Sequence, residues 1–355
     1  MLIPAFVLLI GLILAFANGA NDNFKGVATI YGSRIAGYRT ALIWATVTTL
    51  AGAVLSVFII EGLIKAFSGK GLVAPEAMAL GRFPAVVALA AGLTVLLASR
   101  LGMPISTTHS LVGALSGVAI VTSSGWGWLP LLGLVFFLPL LTSPLVSLLL
   151  SWVANRLAPA PAAACICIAG AETSGGGGSL PVLITGSESE CAIHGASPVV
   201  KTSWLVNSLH FLSAGAVGFA RGLNDTPKLL GIVVAGGLFT ADASLALIVG
   251  LAMALGGILW SRPIAKTMGE KLTPMSPGQG TIANALTSAI VGAASGLSLP
   301  VSTTHVACGT IFGLGAARKE LSRKWALAIA GSWAFTLPLA AALASALWFG
   351  LSFMG

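Results

Sequence analysis

Charge is scarce in this chain. Only 8% of its 355 residues are Asp, Glu, Lys or Arg, against 56% hydrophobic side chains. Soluble domains carry about a quarter charged residues, so 18 basic and 10 acidic groups are too few to keep a surface of this size in water. A soluble enzyme, a nucleic-acid-binding protein and a disordered chain are excluded together. Tyrosine is rarer still, with two residues, and alternating segments are few, which excludes an outer-membrane barrel with its aromatic girdles. The four cysteines make no disulfide framework: Cys165, Cys167 and Cys191 share one segment and Cys308 sits in an apolar run. The opening stretch, 1–18, has no basic residues before its apolar run, so it reads as a retained helix rather than a secretion signal. What the composition leaves is an all-α membrane protein that crosses the bilayer many times.

Apolar runs long enough to span occur near 2–18, 41–60, 83–99, 104–121 and 129–153. A second set lies near 204–220, 244–261, 281–297, 299–316 and 325–351. Between the sets, 154–203 holds an Ala/Pro tract, a GGGG run and SESE. Such a segment buries little and reads as a flexible, exposed linker with no fold of its own. The chain thus divides into a membrane repeat over 1–153, the linker over 154–203 and a second membrane repeat over 204–355.

The repeats are visible in the residues. Phe16-Ala-Asn-Gly-Ala-Asn-Asp-Asn-Phe-Lys25 aligns with Phe219-Ala-Arg-Gly-Leu-Asn-Asp-Thr-Pro-Lys228, an offset of 203. Pro104-Ile-Ser-Thr-Thr-His109 aligns with Pro300-Val-Ser-Thr-Thr-His305, an offset of 196, and Gly113 and Gly117 align with Gly309 and Gly313. Two polar words recurring in one order mark an internal duplication. Equivalent loops differ in charge. The loop after the first word carries Arg34 and Arg39 in one half and only Asp242 in the other. The loop after the second word is TSSGWGW in one half, while the other holds Arg318, Lys319, Arg323 and Lys324. That is the pattern of halves inserted upside down relative to each other, each with five crossings. With both termini outside and the linker cytoplasmic, twelve basic residues fall inside and three, Lys65, Lys70 and Arg82, outside.

An Asn-Asp pair directly after an apolar helix is an ionisable site at membrane depth, and such sites are functional by default. The glycines beside both copies, and Pro227 in the second, predict helices that break or turn there. A buried Asp22–Lys25 pair at i and i+3 that merely neutralises itself is the plainer reading. Each Pro-[Ile/Val]-Ser-Thr-Thr-His word supplies three hydroxyls and free N–H groups at a helix start, which suits an anion. The plainer reading there is an N-cap. His109 and His305 read as hydrogen-bonded supports.

The duplicated Gly-x-Asn-Asp and Pro-[Ile/Val]-Ser-Thr-Thr-His words around a hydrophilic linker resemble the inorganic phosphate transporter (PiT) family of secondary transporters, phosphate and sulfate permeases among them. The resemblance implies an inverted-repeat permease with broken helices and re-entrant hairpins around a central phosphate site, symport with protons or sodium, and homodimers. It implies that Asn21, Asp22, Asn224 and Asp225 line the anion site, with Asp22 and Asp225 also holding the coupling ion. Ser106, Thr107, Thr108, Ser302, Thr303 and Thr304 would donate to the oxyanion. Sodium-coupled members resemble Gly-Ala-Asn-Asp-Val-Ala-Asn-Ala, with a small or amide residue where Lys25 stands; proton-coupled bacterial members look like Asn-Asp-x-x-Lys, as at Lys228. Lysine in both copies favours proton over sodium coupling and puts Lys25 and Lys228 in the substrate site, with Arg221 in support. Sulfate is the rival cargo. An intramembrane hydrolase using Ser106 with His109, or Ser302 with His305, is the rival from another class. In the linker, Cys165, Cys167, Cys191 and His194 form a candidate zinc or copper set that matches no common finger. No cofactor is expected.

Overall fold

The computed structural model describes residues 2–59, 61–158, 165–171, 180–186 and 197–351. Among these, ten helices have sixteen residues or more, five in each half. In the first half they are α1 (Leu2–Asp22), α2 (Tyr38–Ile59), α3 (Arg82–Arg100), α4 (Thr107–Thr122) and α5 (Leu138–Leu157). In the second they are α6 (Thr202–Val234), α7 (Ala243–Trp260), α8 (Pro277–Gly296), α9 (Thr303–Arg318) and α10 (Arg323–Gly350). Six helices among the described residues are long and apolar enough to cross a membrane. Apolar side chains turn outward along them: Leu141, Leu145 and Leu149, one turn apart on α5, are 63%, 61% and 58% exposed, the stripe expected against lipid.

The packing pairs each helix with its counterpart's counterpart. α1 lies on α7 as α6 lies on α2; α4 lies on α10 as α9 lies on α5; α1 packs on α3 as α6 packs on α8. Close approach needs missing side chains, as is usual between membrane helices. A Cβ on Gly256 would sit 1.9 Å from Phe16 O, and one on Gly52 2.1 Å from Phe219 O, the equivalent atom of the other half. The aligned Gly113, Gly117, Gly309 and Gly313 serve the same purpose, holding α4 against α10 and α9 against α5.

Two expectations are corrected. The first copy of the Asn-Asp word does end a helix: α1 stops at Asp22, and a 3₁₀ turn over Lys25–Val27 leads into a short helix, Ala28–Gly32. The second copy does not. α6 runs unbroken through Pro227. A proline removes one backbone donor, and neighbouring helices hold a membrane helix together across such a gap; here α2 crosses closely, since a Cβ on Gly222 would lie 2.2 Å from Thr49 O. The linker, read as unstructured, carries a three-stranded antiparallel sheet in the order β2-β1-β3, from β1 (Cys165–Ala171), β2 (Leu180–Gly186) and β3 (Ser197–Lys201). Its bulk Gly/Ala/Ser composition hides three short Ile-, Val- and Leu-bearing runs with strand character.

Candidate functional site

The first sixteen residues of α1, Leu2 to Ala17, are apolar, and its last turns are not. Asn18, Asn21 and Asp22 are buried where the helix ends, and the turn that follows folds Lys25 back over that end. The Lys25 ammonium shares its three N–H donors among four acceptors within hydrogen-bond distance, Asn21 Oδ1 (2.7 Å), the Asp22 carboxylate, Ile105 O (2.7 Å) and Thr304 Oγ1 (2.6 Å). In the second half Lys228 donates to Thr108 Oγ1 (2.9 Å) and Val301 O (2.5 Å) and stands 3.7 Å from Asp225 Oδ1. The contacts are reciprocal. Each lysine starts from its own Asn-Asp word and ends on the last threonine of the other half's hydroxyl word. Thr304 and Thr108 pass the link on, donating to Ile105 O (2.8 Å) and Val301 O (3.5 Å) across the same boundary.

The middle hydroxyls stay within their halves. Thr107 Oγ1 donates to Asp22 (3.0 Å) and Thr303 Oγ1 to Asp225 (3.3 Å). The first hydroxyls are caps: Ser106 Oγ accepts from His109 N (3.0 Å) and Ser302 Oγ from His305 N (3.2 Å), starting α4 and α9. The plainer reading therefore holds for the serines in this conformation, while the threonines face the charged groups. His109 and His305 meet ring to ring, 4.4 Å between centroids, and His305 Nδ1 lies 3.2 Å from Leu140 O. Each imidazole thus turns toward its counterpart, and the serines cap the helices through backbone N–H groups. A nucleophile–base pair needs the serine hydroxyl on the ring.

Asn21 and Asn224 are held by a partner the sequence reading missed. Asn21 Nδ2 donates to Ser99 Oγ (3.0 Å), and Ser295 Oγ donates to Asn224 Oδ1 (3.1 Å). Ser99 and Ser295 stand at the same 196-residue offset as the hydroxyl words, so extending that alignment one turn upstream reveals them. Asn18 was also missed, although it lies inside the aligned first word opposite Arg221. The two equivalent positions touch: Arg221 Nη2 donates to Asn18 Oδ1 (2.5 Å), and Asn18 Nδ2 then faces Asp22 (3.0 Å) and Asp225 (3.3 Å). Arg221 itself sits 3.4 Å from Asp225 Oδ2 and donates to Asn23 Oδ1 and Thr49 Oγ1, both at 3.2 Å.

The result is one closed network in which Asp22, Asp225, Lys25, Lys228 and Arg221 are all at most 4% exposed. Buried charge without compensation costs several kcal/mol per ion. Three cations around two carboxylates compensate those carboxylates internally and leave one formal positive charge over, the sign that suits an anion. Of the candidate metal set, Cys165 and Cys167 lie on β1, while Cys191 and His194 lie outside the described residues. Among the described residues no three His, Cys, Asp or Glu side chains converge on a metal-sized site.

Three comparisons bear on this network. A profile described as the phosphate transporter family matches residues 18–344, which includes every group named above. A probable low-affinity inorganic phosphate transporter of Rhizobium meliloti is 28% identical, covering 97% of this chain and 96% of its own length. One of Bacillus subtilis bearing the same description is 25% identical over 99% of this chain and 98% of its own. Among solved structures, a sodium-dependent phosphate transporter superposes with a TM-score of 0.78 over 99% of this chain and all of its own, at 24% identity, a likeness of fold.

Proposed function

The chain belongs to the phosphate transporter family, and from that premise we propose that it imports inorganic phosphate as a proton-coupled secondary transporter that works without sodium. The observation that carries this reading is the reciprocal lysine contact, Lys25 to Thr304 and Lys228 to Thr108. Each half brings its own cation to the other half's hydroxyls, so no cation from solution is required to balance Asp22 and Asp225. A tethered ammonium cannot leave with the cargo; it neutralises the site and leaves the proton to carry the coupling.

Phosphate binding in this scheme exchanges partners. The hydroxyls of Thr107 and Thr303, which donate to the carboxylates in the closed network, turn to phosphate oxygens, and a P–OH of the substrate donates to the freed Asp22 or Asp225. Sulfate at neutral pH has no proton to give and would face those carboxylates with repulsion alone. The inverted arrangement of the halves, with both termini outside and the linker cytoplasmic, belongs to the same proposal and is supported by the loop charges and by the exchanged packing of α1 on α7 and α6 on α2.

The test is competition uptake into proteoliposomes. Excess unlabelled phosphate is expected to abolish uptake of labelled phosphate, with excess sulfate leaving most of it. Equal competition by sulfate would assign the site to tetrahedral oxyanions in general and remove the carboxylate–P–OH step.

A further inference from the structure

Away from the central network, the ends of α2, α3 and α7 gather at one pole of the molecule. Tyr38 opens α2 and its hydroxyl lies 3.1 Å from Ser261 Oγ, just past the end of α7. Arg100, the last residue of α3, lies over the Trp260 ring at 5.1 Å, and Arg262 lies over the Tyr38 ring at 5.8 Å. After α7 the chain forms a short helix, Arg262–Lys266, and a π-helical turn, Thr267–Lys271, a local geometry that recurs at functional sites. Gly102 carries the turn after α3 onto this segment with a left-handed φ of 67°, and a Cβ there would lie 3.3 Å from Pro263 O.

Between the two segments lies an open cavity of about 320 Å³ lined by Arg100, Arg262, Lys266 and Lys271 together with Thr267 and Leu101. No carboxylate is in that lining. The acid of the segment, Glu270, is engaged elsewhere, accepting from the Tyr31 hydroxyl at 2.5 Å. Among the described residues none of the four cations has an ion-pair partner, whereas at the other pole Lys65 is paired with Glu61. Four like charges drawn around one cavity repel one another, and an anion between them reverses that cost.

We propose that this cavity is a binding site for an anionic phosphate group supplied by a membrane phospholipid. The setting selects a lipid. Trp260 and Tyr38 are the residues expected at the depth of the headgroups, and beside the cavity Leu101, Ile258 and Leu259 are 70%, 53% and 58% exposed, an apolar flank on which acyl chains can lie. Basic residues at a cytoplasmic surface attract anionic lipid individually; the cavity gathers two arginines and two lysines in one lining, with Arg100 seated over Trp260, Arg262 over Tyr38 and Lys271 over Trp325. A headgroup seated there ties the end of α3 to the segment between α7 and α8, one element from each half.

The test measures Tm of the purified full-length protein in neutral detergent with three additives: dihexanoyl phosphatidylglycerol, dihexanoyl phosphatidylcholine and inorganic phosphate. Compared with the native chain are a variant carrying R100Q, R262Q, K266Q and K271Q, and a control carrying R318Q, K319Q, R323Q and K324Q, which loses as many exposed cations outside the cavity. Phosphatidylglycerol is expected to raise Tm of the native chain and the control, at concentrations about tenfold or more below those the cavity variant needs, while phosphatidylcholine raises none. If the four-site variant does not fold, K266Q with K271Q, both exposed, is read in the same way. A cavity variant that responds like the native chain overturns the site in favour of diffuse attraction. Inorganic phosphate that protects the native chain as well as the lipid does, with the same loss in the variant, overturns the lipid in favour of a free anion.

Discussion

The lysines carry the account at the scale of single residues. Each buried ammonium stands against a carboxylate, a carbonyl and a hydroxyl, and removing it leaves Asp22 or Asp225 with its hydrogen bonds but without its lysine's charge, at several kcal/mol. The Lys25→Gln, Lys228→Gln double variant is expected to lower phosphate binding about a hundredfold or more, whereas Lys65→Gln, whose ion pair with Glu61 is exposed, leaves it unchanged. Isothermal titration with phosphate checks this, and native-like binding by the double variant contradicts it. Thr107→Val and Thr303→Val each remove one proposed donor to the oxyanion and are expected to weaken binding about tenfold while the protein stays folded. Normal uptake by both would reduce these threonines to structural partners of Asp22 and Asp225. Most members of the buried network were legible in the repeated words, because duplication marks polar residues that apolar helices do not need. The division of labour inside Ser-Thr-Thr was not legible. Which hydroxyl caps and which faces the charges depends on the turn between α3 and α4, where the backbone enters the helix at Ser106 in an extended conformation. Asn18 escaped notice because a lone amide next to an Asn-Asp pair carries no signal until Arg221 is seen to touch it.

Helices reveal where a local rule yields to its surroundings. Proline inside a helix removes a hydrogen bond and clashes with the preceding turn, so Pro227 predicted a break; the packing of α6 on α2 and α8 overrides it. Pro227→Ala is accordingly expected to keep the fold, with Tm equal to the native value or a few degrees above, since it restores a donor without altering the path of α6. A fall in Tm would mean that the proline shapes the helix. Close approach works in the opposite direction. A Cβ at Gly19 would lie 1.8 Å from Met253 O, so Gly19→Ala must push α1 off α7 and is expected to cost about 1–3 kcal/mol, read as a lowered Tm in detergent. The linker strands show a further limit. Averaged over 154–203 the composition is that of a chain with little to bury, and only residue-by-residue reading isolates Cys165–Ala171 and Leu180–Gly186 as strand-length runs.

For the whole molecule, the exchanged packing of the two halves brings both Asn-Asp words and both hydroxyl words into one buried cluster, although the bonded pair Lys25 and Thr304 lies 279 residues apart in the chain. The sequence shows that the halves repeat; it does not show that each lysine crosses to the other half, because that depends on how α1 and α9 meet. Within that cluster Lys25, Lys228 and Arg221 outnumber Asp22 and Asp225 by one formal charge, so the chain carries its own counter-cations, the feature on which the proposal of proton coupling rests. The direct test loads proteoliposomes with neutral buffer free of sodium and potassium, dilutes them into labelled phosphate, and compares an imposed inward proton gradient with an imposed inward sodium gradient at equal pH. Uptake driven by the proton gradient and indifferent to sodium is the predicted result. Uptake that requires sodium, with no response to the proton gradient, would contradict the account.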